Sequence, residues 1–418
     1  MIARLIALLL AAATPGWVLA QSAGPDTEAP DNAGTPQQQL YQDALQSLAD
    51  GRKSDASEAL SRLIEQEPQH AGAWLDLALI QCSLGHADKA ERLFANVETR
   101  FSPSRDILEL IAEARDSGCA DWRPASSATV NISRGVDDNV NQGASNSTFI
   151  VTGPDGEIEL PLLEDFLPKR DQYTQASVDY VRDMTANGSI GFLQFQGRHY
   201  DRLHEYDTGA LFAGIETPYR LGRWALRTTG LVGLTILGSK LYQRQVQAQA
   251  RVTPPLPLPP RTQLHLLGSV THTSYASLSA FDSNVYELRA LLGHQADSFS
   301  ASLNAGLLSD RARDQRPGGN RHGNSLSVSV RKPLGWNTMA ELAYTRQSWN
   351  SATPYSPALL IDEVRAQRTH MLRAALSYQV SKRQSVALEA RDVRNRENIS
   401  IFQYNNRQVQ LSWQWRYP

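Results

Sequence analysis

Residues 242–252 read YQRQVQAQARV, and their alternation decides the architecture. Gln243, Gln245, Gln247, Gln249 and Arg251 point one way. Tyr242, Val246, Ala248, Ala250 and Val252 point the other, with Arg244 the exception. Successive side chains of a strand face opposite sides, so one face here is polar and the other apolar. That is what a strand needs between lipid and a wet lumen. The stretch 298–308, SFSASLNAGLL, repeats the pattern. Phe299, Ala301, Leu303, Ala305 and Leu307 share one face; Ser298, Ser300, Ser302 and Asn304 share the other.

Working outward, such segments recur at 128–135, 172–181, 189–200, 208–216, 223–236, 242–252, 262–272 and 283–293. They continue at 298–308, 324–332, 337–347, 369–380, 385–394 and 406–417. This predicts about fourteen antiparallel strands closing a transmembrane β-barrel over residues 125–418, most of them near the ~9–11 residues a tilted strand needs. The even count returns the C-terminus to its starting side. Starting in the periplasm, the external connections are expected at 136–171, 201–207, 237–241, 273–282, 309–323, 348–368 and 395–405. The inner turns include TANG (185–188) and the proline-rich PPLPLPP (254–260). Tyr200, Trp224, Trp336, Trp349 and Trp413 are expected in interfacial aromatic girdles. The last strand alternates Val409, Leu411, Trp413, Trp415 and Tyr417, resembling the signal read by barrel-assembly machinery, although Pro418 stands where an aromatic is usual. A soluble sandwich or propeller fits less well, given the strand lengths and the uninterrupted meander.

The N-terminus points to export. Arg4 supplies a positive charge, Leu5 to Ala13 form a short apolar run, and Val18-Leu19-Ala20 precedes Gln21. Residues 1–20 therefore read as a signal peptide, too short to span a bilayer. Residues 21–36, QSAGPDTEAPDNAGTP, read as a flexible leader that cannot bury a core. The formal charge of −2 gives no reason to expect a nucleic-acid partner. A mean hydropathy of −0.39 suits a barrel, in which only alternate residues face lipid.

Between residues 37 and 120 the period becomes helical: Leu40, Ala44, Leu45, Leu48, then Ala56, Ala59, Leu60, Leu63, Ile64. Shifted by the ~34 residues of tetratricopeptide repeats, Leu40 aligns with Trp74, Ala44 with Ala78 and Gly51 with Gly85. Ala56 aligns with Ala90, Leu60 with Phe94 and Leu63 with Val97, and Pro68 and Pro103 end the two units. The second unit resembles the tetratricopeptide consensus at Trp74, Leu77, Leu84, Gly85, Ala90 and Phe94. A further helix over 104–118 would cap the stack. The fold class is thus α+β multidomain, with periplasmic helical repeats before the barrel. The repeats read either as a groove for a partner or as a spacer. Cys82 and Cys119 fall in this exported domain, where a disulfide is permitted; two buried free thiols are the other reading.

No catalytic set emerges. His199, His204, His265, His272, His294, His322 and His370 are scattered, with no zinc-type spacing, nucleophile elbow or phosphate loop. The expectation is a protein that is no enzyme, with no metal and no cofactor. An Asp201, His199 and His204 trio at the rim carries little weight in a chain rich in Ser and His. Besides the glutamines at 243, 245, 247 and 249, the alternation points Arg198, Arg251, Glu287, Arg289, Glu341, Arg373, Glu389, Arg391 and Arg416 into the lumen. They either neutralise one another or line a route for polar cargo.

The segment ISRGVDDNVNQGASN (132–146) follows the repeats at the start of the barrel. Its residues Asp137, Asp138, Asn139, Val140 and Asn141, together with the repeat-plus-barrel order, resemble the surface lipoprotein assembly modifier (Slam) family. Physical chemistry alone allows Asp-Asp-Asn to be an Asx turn or a calcium-tolerant loop. The resemblance implies an outer-membrane translocator whose repeats engage an exported protein or lipoprotein cargo, or its periplasmic chaperones. An exopolysaccharide exporter and a diffusion porin are the alternatives.

Overall fold

The computed structural model describes residues 36–116, 118–119, 123–153, 156–356 and 361–417. The signal peptide and leader expected at 1–35 lie outside the described residues. The chain divides into a helical unit and a barrel unit.

The helical unit comprises α1 (Pro36–Ala49), α2 (Lys53–Gln66), α3 (Ala71–Ser83), α4 (Ala87–Arg100) and α5 (Arg105–Asp116). The 34-residue self-similarity is visible in its packing. Ala44 and Ala78, Ala56 and Ala90, Leu60 and Phe94, and Leu63 and Val97 are all buried to 2 % exposure or less. Gly51 and Gly85 occupy equivalent turns with φ of 79° and 81°, the left-handed region that favours glycine at a helix end. Helix α3 lies between two clusters. Ala73, Leu77 and Ile80 join the α1–α2 core, whereas Ala78 and Cys82 pack with Phe94 and Ile111. A helix buried on both sides explains the apolar composition of AGAWLDLALIQCS. Helix α5 is tied to α4 by Arg115, which bonds Glu91 and Glu98 at 2.8 and 2.7 Å. Cys82 and Cys119 are joined as a disulfide, linking α3 to the segment after α5. Trp74 is only partly buried; its indole N–H donates to the Pro68 carbonyl at 3.1 Å.

The barrel strands are β1 (Ser126–Asp137), β4 (Asp171–Asp183), β5 (Ile190–Tyr200), β6 (Thr208–Leu221), β7 (Trp224–Leu237), β8 (Lys240–Thr253) and β9 (Thr262–Tyr275). They continue as β10 (Ser283–Gln295), β11 (Ser300–Ala312), β12 (Arg321–Gly335), β13 (Thr338–Ser356), β14 (Ile361–Ser381), β15 (Gln384–Glu397) and β16 (Tyr404–Tyr417). All fourteen coincide with the alternating segments. They form one closed meander in which β1 pairs with both β4 and β16. Closure leaves no strand edge, which is what lets a sheet cross hydrocarbon. The outward face is apolar: Val232, Val246, Leu288, Leu307, Leu342 and Leu388 are each more than half exposed. No described helix is long and apolar enough to cross a membrane.

One end of the barrel carries the short turns and the other the longer loops. At the loop end, β7 and β8 are joined by Gly238 and Ser239 alone, with φ of 52° and 65°. Positive φ at both positions is the tight hairpin geometry that matches strand twist. Four expectations are corrected. Much of the loop expected at 348–368 is strand, because β13 and β14 run on as a hairpin with register shifts around Pro354. The loop expected at 136–171 holds a small hairpin of β2 (Thr148–Gly153) and β3 (Gly156–Pro161). Tyr200 and Trp349 are not girdle residues; both are buried, Tyr200 against Asp137 and Trp349 beneath the Arg321 guanidinium. Tyr242 leaves the apolar face because the β7–β8 register shifts between Thr235 and Ile236, and its ring packs on Tyr275 instead.

Candidate functional site

The lumen wall follows from the pleat. In β8, Gln243, Gln245, Gln247, Gln249 and Arg251 are shielded while Arg244, Val246 and Ala248 are exposed. Most of the charged residues expected in the lumen are paired along the wall with their strand neighbours, whereas Arg416 stands exposed near the end of β16. Arg331, Glu341, Arg373, Glu389 and Arg391 make a continuous ladder over β12 to β15, with contacts of 2.9 Å (Arg331–Glu341), 2.7 Å (Arg373–Glu389) and 3.4 Å (Arg391–Glu389). Arg373 also reaches Glu341. Arg289 pairs with Glu287, and Glu216 takes Arg227 at 2.8 Å and Arg251 at 3.6 Å. Opposite signs at such spacing attract and offset one another, with one arginine in excess both in the ladder and around Glu216, so the lining is polar and locally cationic there.

The DDNVNQG segment forms a knot at the loop end, where β1 meets its two neighbours. Asp137 is 2 % exposed. One of its carboxylate oxygens accepts the Asn139 amide at 3.1 Å, an Asx turn. The other accepts Tyr200 Oη at 3.1 Å and Gln408 Nε2 at 2.8 Å, with Arg198 at 3.5 Å. Asn139 donates to the Gly143 and Asn405 carbonyls at 3.0 and 2.7 Å and accepts from Gly143 N at 2.7 Å. Asn141 donates to the Asp165 and Leu167 carbonyls and accepts from Lys169 N. Asp138 N donates to the Arg407 carbonyl at 3.1 Å. Gly143 has no room for a side chain, since a Cβ would lie 2.3 Å from the Leu167 backbone. Beneath the knot, Tyr173 folds over Gly135, donates to Gln410 Oε1 at 2.9 Å and carries Arg198 over its ring at 4.2 Å. These side chains staple β16 and β4 to β1 and hold the 138–170 segment down. They are engaged with protein groups, as an Asx-turn reading requires.

Sequence reasoning missed other loop-end groups. Asp310, 1 % exposed, takes Arg316 at 3.0 Å and Arg321. Glu397 pairs with Arg365 at 2.6 Å. Outward, Arg346 and Arg394 lie in register with His370, and Arg368 lies opposite Arg396. Arg394 bonds Asp392 at 2.9 Å, whereas Arg368 and Arg396 are like charges set opposite one another, which is destabilising on a sheet. The 199–207 segment, HYDRLHEYD, brings His199, His204 and Asp207 together, with their ligating atoms all within 4.8 Å. Among the described residues this is the one such group of metal-capable side chains, whereas the histidines had been read as scattered. The overlooked signal was the H-x₄-H-x₂-D spacing, which a single 3₁₀ turn (His204–Tyr206) folds back on itself.

The tetratricopeptide-repeat family profile matches residues 47–113. No curated protein matches the chain. Among solved structures, the outer-membrane channel DcaP of Acinetobacter baumannii is similar at 11 % identity and a TM-score of 0.40, covering 70 % of this chain and 97 % of that one. The anion-selective porin of Comamonas acidovorans is similar at 9 % identity and 0.38, covering 71 % and 99 %. A loop-deletion mutant of OmpT of Vibrio cholerae is similar at 7 % and 0.39, covering 70 % and 99 %. Likeness at this level leaves activity unaddressed. The chain joins a tetratricopeptide-repeat segment to a closed fourteen-strand barrel of the kind found in outer-membrane proteins.

Proposed function

We propose that this chain is a non-enzymatic outer-membrane translocator that carries a specific exported protein or lipoprotein to the cell surface. The observation behind this reading is the union on one chain of a helical-repeat segment and a closed barrel. Stacked helical repeats present extended surfaces suited to polypeptides. A diffusion pore has no use for one. The polar wall carries both signs in paired groups, which suits a polypeptide of mixed charge. Fourteen strands also enclose more room than the ~8-strand barrels that side chains fill.

In this reading the turn end faces the periplasm, together with the repeat domain that precedes β1. The loop end lies at the surface. The outward cations around His370 favour that orientation, because the outer-leaflet glycolipid carries phosphates at this level. No nucleotide drives transport here; binding in the periplasm and folding of the cargo outside supply the direction.

The test is deletion of the gene, followed by surface proteomics, exopolysaccharide assay and small-solute uptake. Loss of one surface protein with glycan and uptake unchanged is expected. Loss of glycan alone points to the export barrel, and a change in uptake alone points to a porin.

A further inference from the structure

We propose that the loop joining β5 to β6 is a binding site for a borderline divalent cation, with Zn²⁺ as the reference ion and His199, His204 and Asp207 as ligands. This goes beyond the transport reading and does not depend on it.

The two imidazoles stack at 4.9 Å between centroids with planes 12° apart; His199 Nδ1 is hydrogen-bonded to the Asp207 carboxylate and His204 Nδ1 lies beside it, so one exposed ring must turn for both to bind one ion. Asp207 Oδ2 lies 2.7 Å from His199 Nδ1 and 3.7 Å from His204 Nδ1. A tetrahedral ion with bonds of about 2.0–2.1 Å needs donor atoms about 3.4 Å apart, which these spacings bracket. Two imidazoles with one carboxylate suit Zn²⁺, Cu²⁺ or Ni²⁺ rather than Mg²⁺ or Ca²⁺. The carboxylate is also positioned from outside the triad. Its other oxygen, Oδ1, accepts the Tyr200 amide at 2.7 Å.

A purely architectural role for the histidines is answered by a second loop in the same molecule. Residues 200–207, YDRLHEYD, and 275–282, YASLSAFD, share Tyr, Leu, an aromatic and Asp at matching positions. Each folds as one 3₁₀ turn, His204–Tyr206 or Ser279–Phe281. Each closing Asp has φ −56° and ψ 133°, and each accepts the opening Tyr amide, at 2.7 Å for Asp207 and 2.8 Å for Asp282. Tyr206 N reaches the Leu203 carbonyl at 3.0 Å, as Phe281 N reaches Leu278 at 2.9 Å. The positions of His199 and His204 are Ser274 and Ser279 in the twin. The frame therefore forms without histidine, and loop folding leaves both imidazoles unexplained. They stand on the outer surface of the loop, open to ions.

The experiment uses the full chain in detergent, titrated with Zn²⁺ by calorimetry, with Ca²⁺ as the control. The variant is His199→Ser with His204→Ser, which installs the residues of the twin loop. One saturable Zn²⁺ per chain is expected, indifferent to Ca²⁺ and weakened at least about tenfold in the variant. Equal binding by variant and wild type overturns the proposal, as does no saturable uptake by the wild type. A measurement on the wild type alone guards against a misfolded variant. Bound Cu²⁺ should show electron-spin couplings to two imidazole nitrogens, and a spectrum without them sinks the site.

Discussion

The helical unit and the barrel are built inside out with respect to each other. In the helical unit Ala56, Leu63, Phe94 and Ile111 are at most 1 % exposed, while Arg62, Glu58 and Arg105 stand in solvent. In the barrel the most hidden groups include Asp137, Asn139, Asp310 and Asn395 beside Tyr173, while Leu288 and Leu307 are exposed by 60 and 65 %. Apolar groups leave water in both cases, into a protein core in one and into hydrocarbon in the other. The barrel must then satisfy its polar groups among themselves, hence its ladders and knots.

Four experiments would break or sharpen this contrast. The largest effect is expected in the water-surrounded core. Phe94→Ala should cost the helical unit about 3–5 kcal/mol. Helical circular dichroism should melt earlier, while the heat-modifiable gel mobility of the barrel stays unchanged. If the barrel loses its fold in parallel, the two units are not separately stabilised. Next comes a matched pair on β8. Ala248→Arg places a charge against lipid and should cost about 2–4 kcal/mol of folding in vesicles, whereas Gln247→Arg, one residue back, should cost under about 1 kcal/mol. Equal costs would mean that the inward and outward faces are misassigned.

A smaller loss is expected at the knot. Asn139→Ala strands the Gly143 amide and two carbonyls, at a cost of about 1–3 kcal/mol. Limited proteolysis should then cut within 138–170 sooner, with the strands intact; an unchanged digestion pattern would show that the segment is held elsewhere. The smallest effect is electrostatic. The Arg115 guanidinium bonded to Glu98 holds that carboxyl below its ordinary range. A depressed carboxyl stabilises the folded state above its unfolded pKa and loses that contribution as pH falls through the folded value. The helical unit should therefore weaken on the acid side of the carboxylate range, and Glu98→Gln should flatten that limb of the melting curve.

Much of this was legible without a structure. The glutamine file of residues 243–249 reports its own pleat, and the pairing of Gly51 with Gly85 reports its own repeat. Both signals sit within a few residues or at one fixed offset. The placements that failed depended on something further away. Tyr242 is turned inward by a register shift against β7. Tyr200 is drawn inward by Asp137, 63 positions earlier in the chain. Pattern also showed that Glu341, Arg373 and Glu389 face the lumen, and left open whether they pair. His199 and His204 looked scattered because their stacking depends on the loop folding back through the 3₁₀ turn at His204–Tyr206.

Taken alone, the sequence determined the two periods, the strand count and which face of each strand meets lipid. Each of these is a local consequence of side-chain polarity repeated along a regular backbone. Tertiary structure decided that Asp137 meets Gln408, that charges along the wall pair in a ladder, and that two histidines gather at one carboxylate. Those contacts arise when the barrel closes and its register is set, so residues far apart in the chain become neighbours in space.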